Sequence, residues 1–161
     1  MRLPAATVPF LRAALSGQVG AWPRLPAEVT DALAAACRWH GVMPLLHDAF
    51  RRAPAEVPDG LAGAAHDGYL AAAAALALWR PERAVIADAM RQAGLRMVML
   101  KGAALAGWLY TDAASRPIGD LDILVAESEL GPAAGVLAAL GYVRADPEAE
   151  AWQHHWVFAR E

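Results

Sequence analysis

The sequence is poor in cysteine, in net charge and in a clean secretory leader, and each shortage excludes a class of protein. Cys37 is the only cysteine among 161 residues, which excludes an intramolecular disulfide and favours a reducing compartment. The formal net charge of -3 does not favour wrapping a nucleic-acid backbone. Pro4, Pro9 and Arg12 interrupt the start of the chain, so no signal peptide is predicted.

Long apolar runs and clustered aromatic residues are also missing. No uninterrupted apolar run approaches the roughly 20 residues that span a bilayer, so we expect a cytoplasmic protein without a membrane partner. The six tryptophans are dispersed and lack interleaved basic clusters, which favours core packing over base stacking. No serine lies in a nucleophile elbow, and Cys37 is expected to be a buried structural residue.

Alanine and helical periodicity dominate the first part of the chain. Apolar residues recur at helical spacing in "PAEVTDALAAACRWHG" and "VMPLLHDAFRRA", which predicts two short packed helices with a stop at Gly41. A further helix is predicted in "LAGAAHDGYLAAAAALALW". Pro81 is expected to open or kink the next helix, and Gly94 to close it. Residues 1–94 are therefore predicted to form a helical region.

The pattern changes after Gly94. The short apolar segment "RMVML" predicts a buried strand, "AALAGWLY" a helix, "DLDILV" a second strand, and Gly141 ends a further helix. The aromatic tail "AWQHHWVFARE" favours a third strand. The predicted fold class is α+β, with the helical region followed by a mixed sheet and flanking helices over residues 95–161.

Two aspartates separated by one residue stand at the start of the second predicted strand. Side chains alternate along a strand, so Asp120 and Asp122 are expected on one face, where two unpaired carboxylates repel. A Mg²⁺ or Mn²⁺ ion would remove that repulsion and prefers oxygen ligands. The alternative is structural: Asp120 caps a turn and Asp122 is a solvated residue at a strand edge.

Upstream, the segment "VMLKGAAL" predicts a strand, a glycine turn and the start of a helix. Backbone N–H groups and the helix dipole can hold a phosphate at such a junction, which is formed here by Lys101, Gly102 and Ala103. Lys101 would otherwise be an exposed lysine at a strand end. Arg116 precedes Asp120 by four residues and could contact a phosphate or orient the carboxylates.

Together these motifs resemble the DNA polymerase β-like nucleotidyltransferase superfamily. More narrowly, "LKGAALAGWLY" with "RPIGDLDILV" resembles the family of uncharacterised nucleotidyltransferases, whose helical part contains something like "CRWHGVMPLL". The resemblance implies that Asp120 and Asp122 hold catalytic metal ions and that Gly102 is the turn glycine. It implies transfer of a nucleoside monophosphate from a Mg²⁺-bound nucleoside triphosphate to a small-molecule, protein or RNA acceptor, with release of pyrophosphate.

The chain departs from the superfamily pattern at several points. Ala103 stands where Gly or Ser is common, and the loop before the acidic pair is long. A third carboxylate comes from a later strand in the family, and Glu161 cannot be assigned that role. We therefore expect an incomplete core, either because the chain is a fragment of a longer protein or because the site itself is incomplete. The alternative function is an inactive module that binds a nucleotide or a protein. His154 and His155 would face opposite sides of a strand, which disfavours one shared ion.

Overall fold

The computed structural model describes residues 5–16, 25–52, 57–145 and 156–160. The helices in these ranges are α1 (Val8–Leu15), α2 (Ala27–Trp39), α3 (Met43–Arg52), α4 (Asp59–Gln92), α5 (Lys101–Leu109) and α6 (Leu130–Ala139). The strands are β1 (Val98–Met99), β2 (Ile123–Leu124), β3 (Val143–Arg144) and β4 (Phe158–Ala159). Helices come first and short strands alternate with helices afterwards, which confirms the α+β class.

The predicted pair of short helices is confirmed as α2 and α3. Gly41 ends α2 with a φ of 64°, and its N–H donates to the carbonyl of Arg38 at 3.0 Å. Glycine adopts this left-handed conformation without a steric penalty, which explains why the helix stops there. The apolar faces of the first four helices share one core, formed by Leu11, Ala14, Leu33, Ala34, Cys37, Met43, Leu46, Ala49, Leu61 and Ala65.

One glycine sets the distance between α3 and α4. A Cβ atom at Gly68 would lie 2.6 Å from the Cβ atom of Met43, closer than real Cβ contacts allow. Only a residue without a side chain lets the two helices approach this closely. The contact fixes how the next residues of α4 face α3.

Helix α4 runs for 34 residues, about 51 Å, and continues through Pro81 instead of starting there. Pro81 has no N–H for the carbonyl of Ala77, but the alanine-rich flanks are strong helix formers and keep the helix intact. The predicted stop at Gly94 is confirmed. Gly94 has a φ of 73°, and the N–H of Leu95 donates to the carbonyl of Met90 at 2.9 Å.

By length and composition alone, Gly60–Gln92 could cross a membrane. An 18-residue window within this segment of α4 has a mean hydropathy of 1.3, which is high enough for a membrane span, and 17% of that window is buried. Polar residues such as His66 and Asp67 interrupt the apolar run in the sequence, but a helical window that contains them still reaches this mean hydropathy. The absence of a membrane partner therefore stays a prediction.

Each strand pairs with one antiparallel neighbour, and the strands are shorter than predicted. Val98 pairs with Leu124 between β1 and β2, and Val143 pairs with Ala159 between β3 and β4. The carboxyl end of β1 cannot lengthen because α5 begins at Lys101, so β2 does not extend back to Asp120. The strand predicted in the tail is confirmed as β4, whereas its partner β3 was not predicted.

The chain forms two compact units, each made of two segments. The first comprises Met1–Trp79 with Lys101–Leu121, and the second comprises Arg80–Leu100 with Asp122–Glu161. The single boundary between residues 94 and 95 stays a prediction.

In the second unit, a polar network ties β4 to α4. The Tyr142 hydroxyl donates to Glu82 Oε1 at 2.5 Å, and Arg160 donates to Glu82 Oε2 at 2.6 Å. The guanidinium of Arg160 also lies 5.0 Å from the centre of the Tyr142 ring. Burial is the main cause that raises the pKa of the Tyr142 hydroxyl to about 12, and the hydrogen bond to Glu82 raises it further. For Glu82, the hydrogen bond from Tyr142 is the main cause that lowers the pKa, and Arg160 lowers it further.

Two tryptophans contradict the prediction of core packing. Trp39 is 72% exposed and Trp108 is 79% exposed, because each lies at the carboxyl end of its helix, beyond the buried stripe. The expected burial of Cys37 is confirmed, and burial raises the pKa of its thiol to about 11. A thiol that stays protonated in this way is a packing residue and a poor nucleophile.

Candidate functional site

The junction between β1 and α5 is a sharp turn centred on Lys101. Only Leu100 separates the strand from the helix, and Lys101 has a φ of 47°. Positive φ is uncommon and strained for a residue with a side chain, and such strain is often found at functional sites. Lys101 is exposed and is the only lysine of the sequence, a signal that our sequence analysis missed.

Gly102 follows, and neither packing nor backbone geometry demands a glycine there. A Cβ atom at this position would lie 3.7 Å from Ile118 Cγ1 and 3.8 Å from the carbonyl oxygen of Pro117, both ordinary contacts. Its φ also lies outside the left-handed region. A bare backbone at a helix N-terminus is instead suited to close approach by a phosphate.

The side chain of Ala103 points into the protein, whereas the side chain of Lys101 is exposed. Ala103 is only 3% exposed and lies on the buried face of α5 with Ala106. A methyl group in that position leaves only backbone atoms of Ala103 to meet a ligand. The sequence prediction that Ala103 binds nucleotide is therefore limited to its backbone.

Arg116 follows a turn that is fixed by hydrogen bonds. Asp112 caps the 3₁₀ turn Ala113–Ser115: its Oδ1 accepts from the N–H of Ala114 at 2.9 Å. The N–H of Arg116 donates to the carbonyl of Ala113 at 3.2 Å. Arg116 is half-buried, and the contacts of Gly102 show that the loop just after it packs on the first turn of α5. The structure thus brings the turn at Lys101–Ala103 together with the loop of residues 112–118, the Arg116 loop, within the first unit.

The acidic pair is placed differently from the prediction. Asp120 is exposed and lies in irregular backbone of the first unit, while Asp122 is half-buried and belongs to the second unit. The carbonyl of Asp122 accepts from the N–H of Leu100 at 2.9 Å, one bond beyond the ladder of β1 and β2. The predicted strand through both aspartates is wrong, since β2 begins at Ile123. A shared metal site stays a prediction.

The donors that the acidic pair offers are carboxylate oxygens, and these fit Mg²⁺ or Mn²⁺ better than Zn²⁺. No group of three or more His, Cys, Asp or Glu side chains is placed to hold a metal ion within the part of the chain that the structure describes. His154, His155 and Glu161 lie outside the described residues. The predicted metal ligands therefore remain Asp120 and Asp122.

Sequence reasoning also missed a hydrogen bond between α4 and the Arg116 loop. The Tyr69 hydroxyl donates to Asp112 Oδ2 at 2.8 Å, and this bond raises the pKa of Tyr69. The His47 ring stacks on Tyr69 with centroids 4.7 Å apart. The "TDAAS" segment indicates the cap at Asp112, but no local signal reveals a partner 43 residues away.

Comparison with known proteins identifies a family. A sequence model of a family described as uncharacterised nucleotidyltransferases matches residues 26–161. No curated protein and no solved structure matches the chain significantly. The matched region contains α2 to α6 and each of the predicted site residues.

Proposed function

This chain belongs to the family of uncharacterised nucleotidyltransferases, and we propose that it transfers a nucleoside monophosphate from a Mg²⁺-bound nucleoside triphosphate to an acceptor. Family membership supports a general role in nucleotidyl transfer. The observation that carries the finer proposal is the strained Lys101–Gly102 turn, packed against the loop of Arg116. We keep the cytoplasm as its proposed location because a lone, buried cysteine suits a reducing compartment.

The first turn of α5 has the features of a triphosphate cradle. N–H groups at a helix N-terminus lack intrahelical acceptors, and the helix dipole places positive potential there. Lys101 adds a full positive charge at the same end, and Gly102 has no side chain to obstruct approach to its half-buried backbone. Arg116 supplies a planar guanidinium, which suits bidentate contact with phosphate oxygens.

In the proposed reaction an acceptor oxygen attacks the α-phosphorus, the bond to the bridging oxygen of the β-phosphate breaks, and pyrophosphate leaves. Lys101 and the backbone of Gly102 hold the triphosphate, while Arg116 neutralises charge on it. Asp120 and Asp122 would hold a divalent ion, which supplies charge neutralisation at the phosphates when bound. The acceptor is a small molecule, a protein or an RNA.

Calorimetric titration with each nucleoside triphosphate, first with Mg²⁺ and then with EDTA, tests the proposal. The wild type should bind at least one triphosphate only with Mg²⁺. Asp120→Asn with Asp122→Asn should abolish that binding because the oxygen ligands lose their charge. The matched control is Asp31→Asn with Asp67→Asn, two exposed helix aspartates with the same charge change, which should bind as the wild type does. Unchanged binding by the folded Asp120/Asp122 variant would show that the metal assignment is wrong.

An inactive nucleotide-binding module is the second candidate function. The buried methyl of Ala103 favours it, since the superfamily often has a serine hydroxyl or a glycine at that position. Incubation with an α-labelled triphosphate and protein, RNA or small-molecule acceptors distinguishes the two. Label transfer with pyrophosphate release supports the enzyme, whereas metal-dependent binding without transfer supports the module.

A further inference from the structure

We infer that Tyr69 and Asp112 are positioning residues, whose hydrogen bond fixes the 112–118 loop so that Arg116 faces a triphosphate held at the first turn of α5. The inference rests on the proposed function. It gives the helical region a part in the site, through α4, although neither residue touches the nucleotide.

On the helical side, contacts with α3 hold the Tyr69 ring in place. Gly68 lets α4 approach Met43 of α3, and Tyr69 is the next residue. His47, one turn after Met43, stacks on the Tyr69 ring with an interplanar angle of 27°. His66 lies 5.1 Å from His47, centre to centre, and closes the cluster. These contacts therefore fix the position of the Tyr69 hydroxyl relative to α3 and α4.

On the loop side, Asp112 uses both carboxylate oxygens. Oδ1 accepts from the N–H of Ala114 at 2.9 Å, and Oδ2 accepts from the Tyr69 hydroxyl at 2.8 Å. The first bond shapes the 3₁₀ turn, and the second attaches that turn to α4. Without the Tyr69 hydroxyl, Asp112 would still cap the turn but would no longer anchor it.

The other end of the loop is anchored by close packing. The carbonyl of Pro117 and the side chain of Ile118 lie against Gly102, and Ile118 is 7% exposed. Pro117 Cγ would lie 3.9 Å from a Cβ atom at Gly41, the turn between α2 and α3. Arg116 therefore lies between two anchors, and loss of the Asp112 anchor should release its backbone.

Tyr69→Phe tests the inference because it removes only the hydroxyl and keeps the ring that stacks on His47. The matched control is Tyr142→Phe, which removes a hydroxyl that also donates to a carboxylate, but in the second unit. Two measurements are made on each variant. Amide hydrogen exchange reports on residues 114–116 without ligand, and calorimetry gives the Kd for the Mg²⁺-bound triphosphate.

Tyr69→Phe should speed exchange at residues 114–116 and weaken triphosphate binding by about tenfold, the effect of about one lost hydrogen bond. Tyr142→Phe should change neither. If exchange at 114–116 or the Kd is unchanged in Tyr69→Phe while the wild type binds, the positioning role is wrong. If the wild type binds no triphosphate, the proposed function has failed and this inference falls with it.

Asp112 supplies a rescue experiment. In Asp112→Asn the amide oxygen can accept from Ala114 and the amide nitrogen can donate to the Tyr69 hydroxyl, so both anchoring contacts survive. Asp112→Ala loses both. Binding near the wild-type Kd for Asp112→Asn, with at least tenfold weaker binding for Asp112→Ala, supports positioning. Equal losses in the two variants would show that Asp112 acts through its charge and would overturn the inference.

Discussion

Lys101 combines a strained backbone with a functional group, and the two properties can be separated by substitution. Its φ of 47° turns the chain from β1 into α5. Its side chain is exposed, so it makes little contribution to the core. A chain selected only for stability would favour glycine here, since glycine adopts this conformation without strain.

We expect the free energy of unfolding of Lys101→Gly to exceed that of Lys101→Ala by about 1 kcal/mol, because only the alanine keeps a Cβ atom at positive φ. Urea denaturation measures the difference. Both variants should bind the Mg²⁺-bound triphosphate more weakly than the wild type, since both lose the amine. Equal stability of the two variants would contradict the left-handed conformation.

At the residue scale, the sequence predicted what depends on local conformation. Gly41, Gly94 and Gly141 end helices as expected, each with a positive φ. Gly68 was not predicted, because its role depends on how closely another helix approaches. The partner of Asp112 was missed for the same reason: a contact between distant segments leaves no trace in local spacing.

At the scale of elements, helices were easier to predict than strands. A helix satisfies its hydrogen bonds internally, so periodicity and stop signals in its own sequence define it. A strand extends only as far as its partner does. The start of α5 at Lys101 limits the carboxyl end of β1, and the antiparallel register passes that limit to the amino end of β2, which is why β2 begins at Ile123 instead of at Asp120.

Pro81 offers a test of how α4 tolerates a residue that cannot donate a hydrogen bond. Pro81→Ala restores the N–H that can donate to Ala77, and we expect the free energy of unfolding to rise by about 1–2 kcal/mol. Urea denaturation followed by circular dichroism measures it.

The matched control is Pro132→Ala. Pro132 is exposed in the first turn of α6, where the missing N–H has no intrahelical acceptor to lose, so the change should be close to zero. A loss of stability in Pro81→Ala would show that the proline ring makes contacts that outweigh the missing bond.

At the scale of the whole molecule, each compact unit is built from segments that are distant in sequence. The first unit takes its core from the early helices and receives α5 and the Arg116 loop from later in the chain. The second unit joins the end of α4 to β4. Composition and periodicity predicted a helical part before a strand-containing part, but they carry no information on which segments share contacts.

The network around Glu82 makes the stability of the second unit depend on pH. The Tyr142 and Arg160 bonds lower the pKa of Glu82 below its ordinary 4.5, so its stabilisation is fully present above that value and is lost as the pH falls through the lowered pKa. Glu82→Gln should cost about 1 kcal/mol near neutral pH, and the cost should shrink below pH ~4.5. Urea denaturation across pH measures both variants.

Asp88→Asn is the control for that experiment, because the Asp88–Arg91 pair is exposed on both sides. We expect a change below about 0.5 kcal/mol at every pH. A cost for Glu82→Gln that stays constant down to pH ~3 would contradict the role of the Glu82 charge.

The only lysine of the chain also determines where a lysine-specific protease can cut. The Lys101–Gly102 bond lies at the exposed end of α5, and cleavage there would separate residues 1–101 from residues 102–161. The two products are resolved on a gel without labels or substitutions. A molecule that covers this turn slows the appearance of the fragments, so the native chain carries its own digestion assay for occupancy of the junction between β1 and α5.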